Sequence, residues 1–162
     1  MVKSILILIM VMSSSLVWGE DITNINQCLN INLTAEVLCR FPSNPTSTVQ
    51  NCVLTLVKGS VSGDLGIFVS PFSPEIRSSE FGISDLNNIP VLLRNEFSAL
   101  MTSVTNCTSR VVSYNETTSN GVARVSMVLH RQGIGYNRAE SLHLDIASTN
   151  NFWRIVNWDV DE

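Results

Sequence analysis

"LHLDIASTNNFWRIVNWDV", residues 142–160, is the stretch whose periodicity decides the fold. Its first half alternates, with Leu142, Leu144 and Ile146 on one side of an extended chain and Ser141, His143 and Asp145 on the other. That two-residue period is the signature of a half-buried strand. "STNN" at 148–151 supplies the polar turn residues of a hairpin. Beyond it, strict alternation puts Phe152, Val156, Trp158 and Val160 on one face and Trp153 and Ile155 on the other. A strand that is apolar on both faces is expected between two covering layers. The aromatic cluster is therefore assigned to closure of a core, the functional alternative being that Trp153 or Trp158 lines the mouth of a pocket.

The same period runs back toward residue 109. In "GVARVSMVLHR" Ala123, Val125, Met127 and Leu129 share one face and Arg124, Ser126 and His130 the other, while "GIGYN" turns the chain at 133–137. "SRVVSYN" precedes them, so the back of the chain reads as an antiparallel meander. Ahead of it the period becomes helical. Ile25, Cys28, Leu29, Leu33, Val37 and Leu38 form one stripe if Gln27 to Arg40 is a single helix, and "FPSNP" at 41–45 stops it. "STVQNCVLTLVKGS" carries Val49, Cys52, Val53, Leu56 and Val57 at helical spacing, with Ser47 and Gln50 placed as a capping box. Residues 59–79 are rich in Gly, Ser and Pro and are expected to form a long loop holding one strand, "LGIFV" at 65–69. A further helix follows an N-cap at Ser84 or Asp85, with Val91, Leu92, Phe97, Leu100, Met101 and Val104 as its apolar positions. The expected fold class is α+β, with N-terminal helices packed on a bent antiparallel sheet that ends in a strand meander.

Two helices, a short strand region, a third helix and a meander closing on "FWRIV" at 152–156 resemble the nuclear transport factor 2-like superfamily, also called the SnoaL-like or cone-shaped α+β fold. The resemblance implies a strongly bent sheet wrapped around helices and a conical cavity. In some members that cavity is a ligand or substrate pocket, in others the domain is an interaction scaffold, and members often dimerise through the sheet face. The chain departs from the enzyme members in having no acid/base pair on its early helices.

The N-terminus begins with Lys3, runs through "ILILIMVM" at 5–12 and softens into "SSSLVWGE". That is the order of a secretory signal peptide, here residues 1–19 with cleavage after Gly19, leaving one domain at 20–162. The serines at 13–15 end the apolar run short of the roughly 20 residues a spanning helix needs, and the tail "NWDVDE" is too acidic for a lipid-anchor signal, so no membrane span is expected. Without Lys3 the 10 basic residues become 9 against 14 acidic ones, a formal charge of −5, with no basic run. Nucleic acid is thereby excluded as an expected partner.

In an oxidising compartment the even set Cys28, Cys39, Cys52 and Cys107 is expected to form two disulfides. A single helix from 27 to 40 would hold Cys28 and Cys39 about 16 Å apart, so each is expected to pair with Cys52 or Cys107. No CxxC occurs and the two histidines lie far off in sequence, so neither a metal nor any other cofactor is expected. Asn32, Asn106 and Asn115 head N-x-S/T sequons open to glycosylation, whereas Pro45 blocks the one at Asn44.

His130 and His143 are the groups that titrate near neutrality, and His143 with Asp145 stands two residues apart on one strand face. Solvated polar alternation gives the same pattern as an acid/base pair. With the turn near Gly135, either Met127 or Ser126 lies opposite His143, which decides whether the two histidines share a face. Three functions are compatible with these residues. The first is a non-catalytic binding domain for an unknown protein or small apolar ligand. The second is a cavity hydrolase, isomerase or dehydratase using His143, Asp145 or His130. The third is an extracellular structural protein assembling, as a homodimer for instance, through its sheet face.

Overall fold

A computed structural model describes residues 19–161; the proposed signal peptide lies outside them except for Gly19. Helices occupy the front and a four-stranded antiparallel sheet the back, in the order β1-β2-β3-β4, as the two sequence periods require. The strands are β1 Thr108–Ser119, β2 Val122–Gly133, β3 Tyr136–Thr149 and β4 Phe152–Asp161. Their tight turns are made where residues tolerate positive φ: Asn120 with Gly121, Gly135, and Asn150 with Asn151.

The helical half differs from expectation in two places. The helix over 27–40 does not form. A 3-10 helix, Ile25–Cys28, is capped reciprocally by Asn24 and Gln27, Asn30 turns left-handed at φ 60, and the helix α1 covers only Ala35–Leu38. Between them Asn30 N–H donates to the Val111 carbonyl and Leu33 N–H to that of Ser109, both at 2.8 Å. The edge of β1 takes the backbone groups that a continuous helix would have used. The second difference is "LGIFV", which is the helix α3, Leu65–Val69, and not a strand. The Gly, Ser and Pro around it are helix caps. Gly63 (φ 67) ends α2, Val49–Ser62; Asp64 accepts from Ile67 N–H to start α3; Ser73 and Pro74 start α4, Pro74–Phe81, which Gly82 ends at φ 67.

The helix α2 begins one residue later than the proposed capping box, with Thr48 accepting from Asn51 N–H, and is buried through its length at Val49, Cys52, Val53, Leu54, Leu56 and Val57. It crosses α3 so closely that a Cβ on Gly59 would lie 2.3 Å from Phe68 N, which explains a glycine inside a helix. Asp85 caps a short 3-10 turn, Leu86–Asn88, and α5 (Val91–Leu100) and α6 (Thr102–Thr105) lead into β1. In α5 the packed residues are Leu93 and Phe97, whereas Val91, Leu92 and Leu100 are exposed.

The inward face of the sheet carries Val111, Ala123, Val125, Met127, Leu129, Leu142, Leu144, Ile146 and Ile155, and these join the core residues of α2. Ser126 pairs with His143, so both histidines lie on the outward face. One pairing overturns the assignment of faces in the last strand. Asp145 faces Asn157 but Ile146 faces Ile155, so Val156 is an extra residue, a β-bulge. The bulge resets the alternation. Trp153, Ile155, Trp158 and Val160 all turn inward, and Phe152, Asn157 and Asp159 turn outward. The strand is therefore apolar on one face and not sandwiched between two layers. Its free edge is covered at Ile155, whose N–H donates to Pro71 and whose carbonyl accepts from Ser73 N–H, both at 2.9 Å.

Deleting Val156 would remove the extra residue and leave Trp158 and Val160 on the inward face, now in strict alternation with Ile155. The expected change in unfolding free energy in urea is at most about 1.5 kcal/mol, the scale of a change that keeps the core packing, with the tryptophan emission unshifted. A loss of about 3 kcal/mol, the scale of losing a buried tryptophan, with a red-shifted emission would show that Val156 belongs to the ladder and that the bulge does not set the face.

Candidate functional site

The inward parity of β2 continues one step past Leu129 to Arg131, a charged residue that is 2 % exposed. A buried guanidinium is tolerable only where its donors are met, and here the neighbouring elements meet them. Nε donates to Glu140 Oε2 of β3 at 2.9 Å, one terminal nitrogen to Ser109 Oγ of β1 at 3.2 Å, and the other to Ser60 Oγ of α2 at 2.5 Å. Glu140 sits diagonally across the strand pair, opposite Leu129, which brings its carboxylate alongside the arginine. Tyr136, at the start of β3, donates its hydroxyl to Glu140 Oε1 at 3.3 Å, and the Arg138 guanidinium stands 5.3 Å from the Tyr136 ring centre. Desolvation first and the charge of Glu140 second push the Tyr136 hydroxyl above its ordinary range, so it stays protonated as a donor.

This polar group forms one end of a cavity of about 420 Å³ between the sheet and the helices. Leu56 and Val57 of α2, Phe68 of α3, and Leu129, Leu142 and Trp158 of the sheet make its apolar wall, with Leu100 and Val160 at the rim. Its volume lies within the range of small-ligand sites. Trp158 is held from two sides. Its ring packs 5.5 Å from Phe72, 5.8 Å from Phe81 and 6.2 Å from Phe68, and its indole N–H donates to the Glu80 carboxylate. A tryptophan pinned in this way is a rigid wall. Trp158 is thus both a core residue and a pocket residue, while Trp153 packs on the core without lining this cavity.

A larger cleft of about 620 Å³ lies between α1, α2, α3 and the start of β1, lined by Leu33, Leu38, Cys39, Lys58, Ile67 and Cys107 among others. Volume alone does not make a site. That cleft has no buried charge comparable to Arg131, and the smaller cavity combines an apolar body with a converging polar end.

The sequence-derived acid/base candidates lie elsewhere. His130 and His143 share the outward face of the sheet, away from the cavity. His130 Nε2 is 2.8 Å from Asn137 Oδ1 and its Nδ1 3.4 Å from Arg110. The His143 side chain is 51 % exposed and 3.9 Å from Asp161, while Asp145 is paired with Arg124 at 3.7 Å and accepts from Asn157 at 3.4 Å. His143 and Asp145 are therefore not bonded to each other, although both line a depression of about 280 Å³ on the outward face. Among the described residues, no group of three or more His, Cys, Asp or Glu side chains is placed to hold a metal ion, and no helix is long and apolar enough to cross a membrane.

All four cysteines are free thiols in the structure, so the two expected disulfides are not formed there. Cys28 and Cys52 are fully buried and pack as core residues, the latter donating to the Trp153 carbonyl at 3.2 Å. Burial pushes the Cys28 thiol up to about 11 and that of Cys52 up to about 12, which leaves them protonated and unreactive at neutral pH. Cys39 is exposed and Cys107 donates to the Ser103 carbonyl at 3.0 Å. The exclusion of a Cys28 to Cys39 link rested on one long helix and falls with it. The sequon residues Asn32, Asn106 and Asn115 are all exposed.

No protein-family model matches the chain, and no curated protein matches it. The cluster of Arg131, Glu140 and Tyr136 contains neither histidine nor cysteine and follows no catalytic or metal-binding motif. Its signal is a charge falling on the apolar parity of β2.

Replacing Arg131 with methionine strands the Glu140 carboxylate in a desolvated site. Arg131→Met is expected to lose about 3 kcal/mol of unfolding free energy, the scale of a broken buried pair, and the double variant Arg131→Met with Glu140→Leu to regain at least half of it. Equal loss in both, by urea unfolding, would show that the pair is not coupled.

Proposed function

We propose that the domain is a secreted, glycosylated, non-catalytic binding module whose ligand is a small apolar molecule held in the cavity beneath Trp158. The observation that carries this reading is the cavity itself. It has an apolar wall, a rigid aromatic side and a single polar end, which is the composition of a binding pocket. The placement of His130, His143 and Asp145 on the outward face supports the absence of catalysis by those residues. The N-terminal pattern of charge, apolar run and small residues, together with three exposed sequon asparagines, supports an extracellular location. Helices followed by a strand meander support membership in the nuclear transport factor 2-like superfamily.

Assembly through the sheet is the weaker reading. The outward face mixes Arg110, Arg124, His130, His143, Asp145 and Asp159 with few apolar side chains, of which Phe152 at 47 % exposure is the largest. A stable homodimer face is more apolar than this.

A polarity-sensitive naphthylamine dye tests the cavity. The intact chain is expected to bind one dye with enhanced fluorescence. Val160→Trp, which fills the mouth from a partly exposed rim position, is expected to weaken that binding at least about tenfold, equivalent to about 1.4 kcal/mol, with an unchanged circular dichroism spectrum. Dye binding that is absent, or indifferent to this variant, would refute the proposal.

A further inference from the structure

The three sequon asparagines open on different ground. Asn32 lies in the wall of the larger cleft with Leu33, Leu38 and Ile67, and Asn106 lies beside Cys107, Ile134 and Tyr136. Asn115 instead lines the polar depression of about 280 Å³ on the outward face of the sheet, the one that also holds His143 and Asp145. Strand register explains why. Asn115 pairs with Ser126, Ser126 with His143 and His143 with Asp159, so four polar side chains cross the sheet in one row. Thr117, Arg124, Asp145 and Asn157 make the row beside it. Apart from the half-buried Asp145, all of them are exposed. Neighbouring strands lie about 4.8 Å apart, which puts His143 about 10 Å from Asn115 across the face.

The two rows hold no apolar side chain, so a protein partner that binds by burying apolar surface has little to grip. They do hold unused hydrogen-bonding capacity. The Ser126 hydroxyl both donates and accepts, and His143 is 3.9 Å from Asp161, beyond hydrogen-bond length. Asp159 Oδ1 accepts from Val160 N–H at 3.0 Å, and a carboxylate takes more than one such bond. A sugar suits this surface, because its hydroxyl and amide groups donate and accept without adding a charge. A free sugar would gain little from such contacts in water, since each replaces a bond to solvent. A sugar tethered at Asn115 is held there at high effective concentration, so weak contacts suffice.

Resting on the secreted, glycosylated reading above, we infer that Asn115 carries an N-linked glycan whose first sugar lies in this depression, over Ser126 and toward His143, and covers the outward face of the sheet. Asn115 Nδ2 forms the bond to the anomeric carbon of the sugar. The bond from that carbon to the diphosphate oxygen of a lipid-linked oligosaccharide donor breaks, the diphosphate leaves with the electron pair, and one amide proton passes to solvent. The glycan is thereby part of the surface of the domain and closes the sheet face to a second copy.

Carbethoxylation of the histidines by diethylpyrocarbonate, followed by peptide mass spectrometry on the full chain secreted from cultured animal cells, tests the seat. His130 is the internal control, on the same face but four residues along β2 from Ser126, about 13 Å at strand rise. The glycosylated chain is expected to label at His143 severalfold more slowly than Asn115→Gln, with His130 unchanged. Thr117→Ala, which keeps the asparagine and destroys the sequon, should label like Asn115→Gln, and Thr117→Ser like the original chain. Trimming by an endoglycosidase that leaves one sugar should preserve the protection. Equal labelling of His143 with and without the glycan overturns the inference, as does parallel slowing of both histidines or loss of protection on trimming to one sugar. A glycan found at Asn32 or Asn106 but not at Asn115 also overturns it, with the glycosylated reading intact. Secreted chain without any glycan removes that reading and the inference with it.

Discussion

Between Asp145 and Ile146 the last strand carries one residue more than its neighbour, and Val156 stands out of the ladder there. A β-strand shows alternate residues to alternate faces, so one unpaired residue reverses every side chain beyond it. On the near side of the bulge Trp153 and Ile155 face the helices; beyond it Trp158 and Val160 do as well. Without the bulge, Asn157 and Asp159 would be driven against Leu144 and Leu142 of the core face, and the outward side would hold an exposed indole. The aromatic cluster of Phe68, Phe72, Phe81 and Trp158, and the cavity wall built from it, depend on that one position.

The second constraint is a charge in the interior. Arg131 occupies a position that Ala123, Val125, Met127 and Leu129 lead one to expect apolar. Its guanidinium ties β1, β2, β3 and α2 together through Ser109, Glu140 and Ser60. A buried pair of this kind is a weak source of net stability, since desolvation offsets most of the attraction. Its effect is on geometry: it fixes where α2 sits over the sheet and forms the polar end of the cavity. Gln50 plays a comparable joining role near the other end, accepting from Ile25 N–H at 2.8 Å and donating to Tyr114 and Glu116 at 2.9 and 2.6 Å. Buried among these partners, the Tyr114 hydroxyl is pushed far up, first by desolvation and then by Glu116.

The sheet was legible from the chain because its signals are local. A two-residue period and positive-φ turn residues such as Asn150 and Asn151 need no knowledge of the neighbours. The helix α2 was legible for the same reason. The bulge was not, since it exists only in the pairing of two strands and Val156 has no local mark. Glycine, serine and proline between residues 59 and 82 read as loop, yet in place they are the caps of three helices. The stripe over 25–38 satisfied the helical period but lost to β1, which offered Asn30 and Leu33 better backbone partners. Of the pocket, Trp158 is legible in the sequence as one of two aromatic candidates for its wall. Arg131 was visible in principle as a charge out of phase with its strand, and Glu140 and Tyr136 become meaningful only once β2 and β3 are in register.

The account's central claim is that the last strand reverses its alternation at Val156. The direct measurement is the set of nuclear Overhauser contacts made by the Trp158 indole in the folded, isotopically labelled chain, with Trp153 as the internal comparison. Contacts from the Trp158 ring to the rings of Phe68, Phe72 and Phe81, with a slowly exchanging indole N–H, are the predicted result. A Trp158 indole that exchanges freely with water and shows no contact to those phenylalanines would contradict the account.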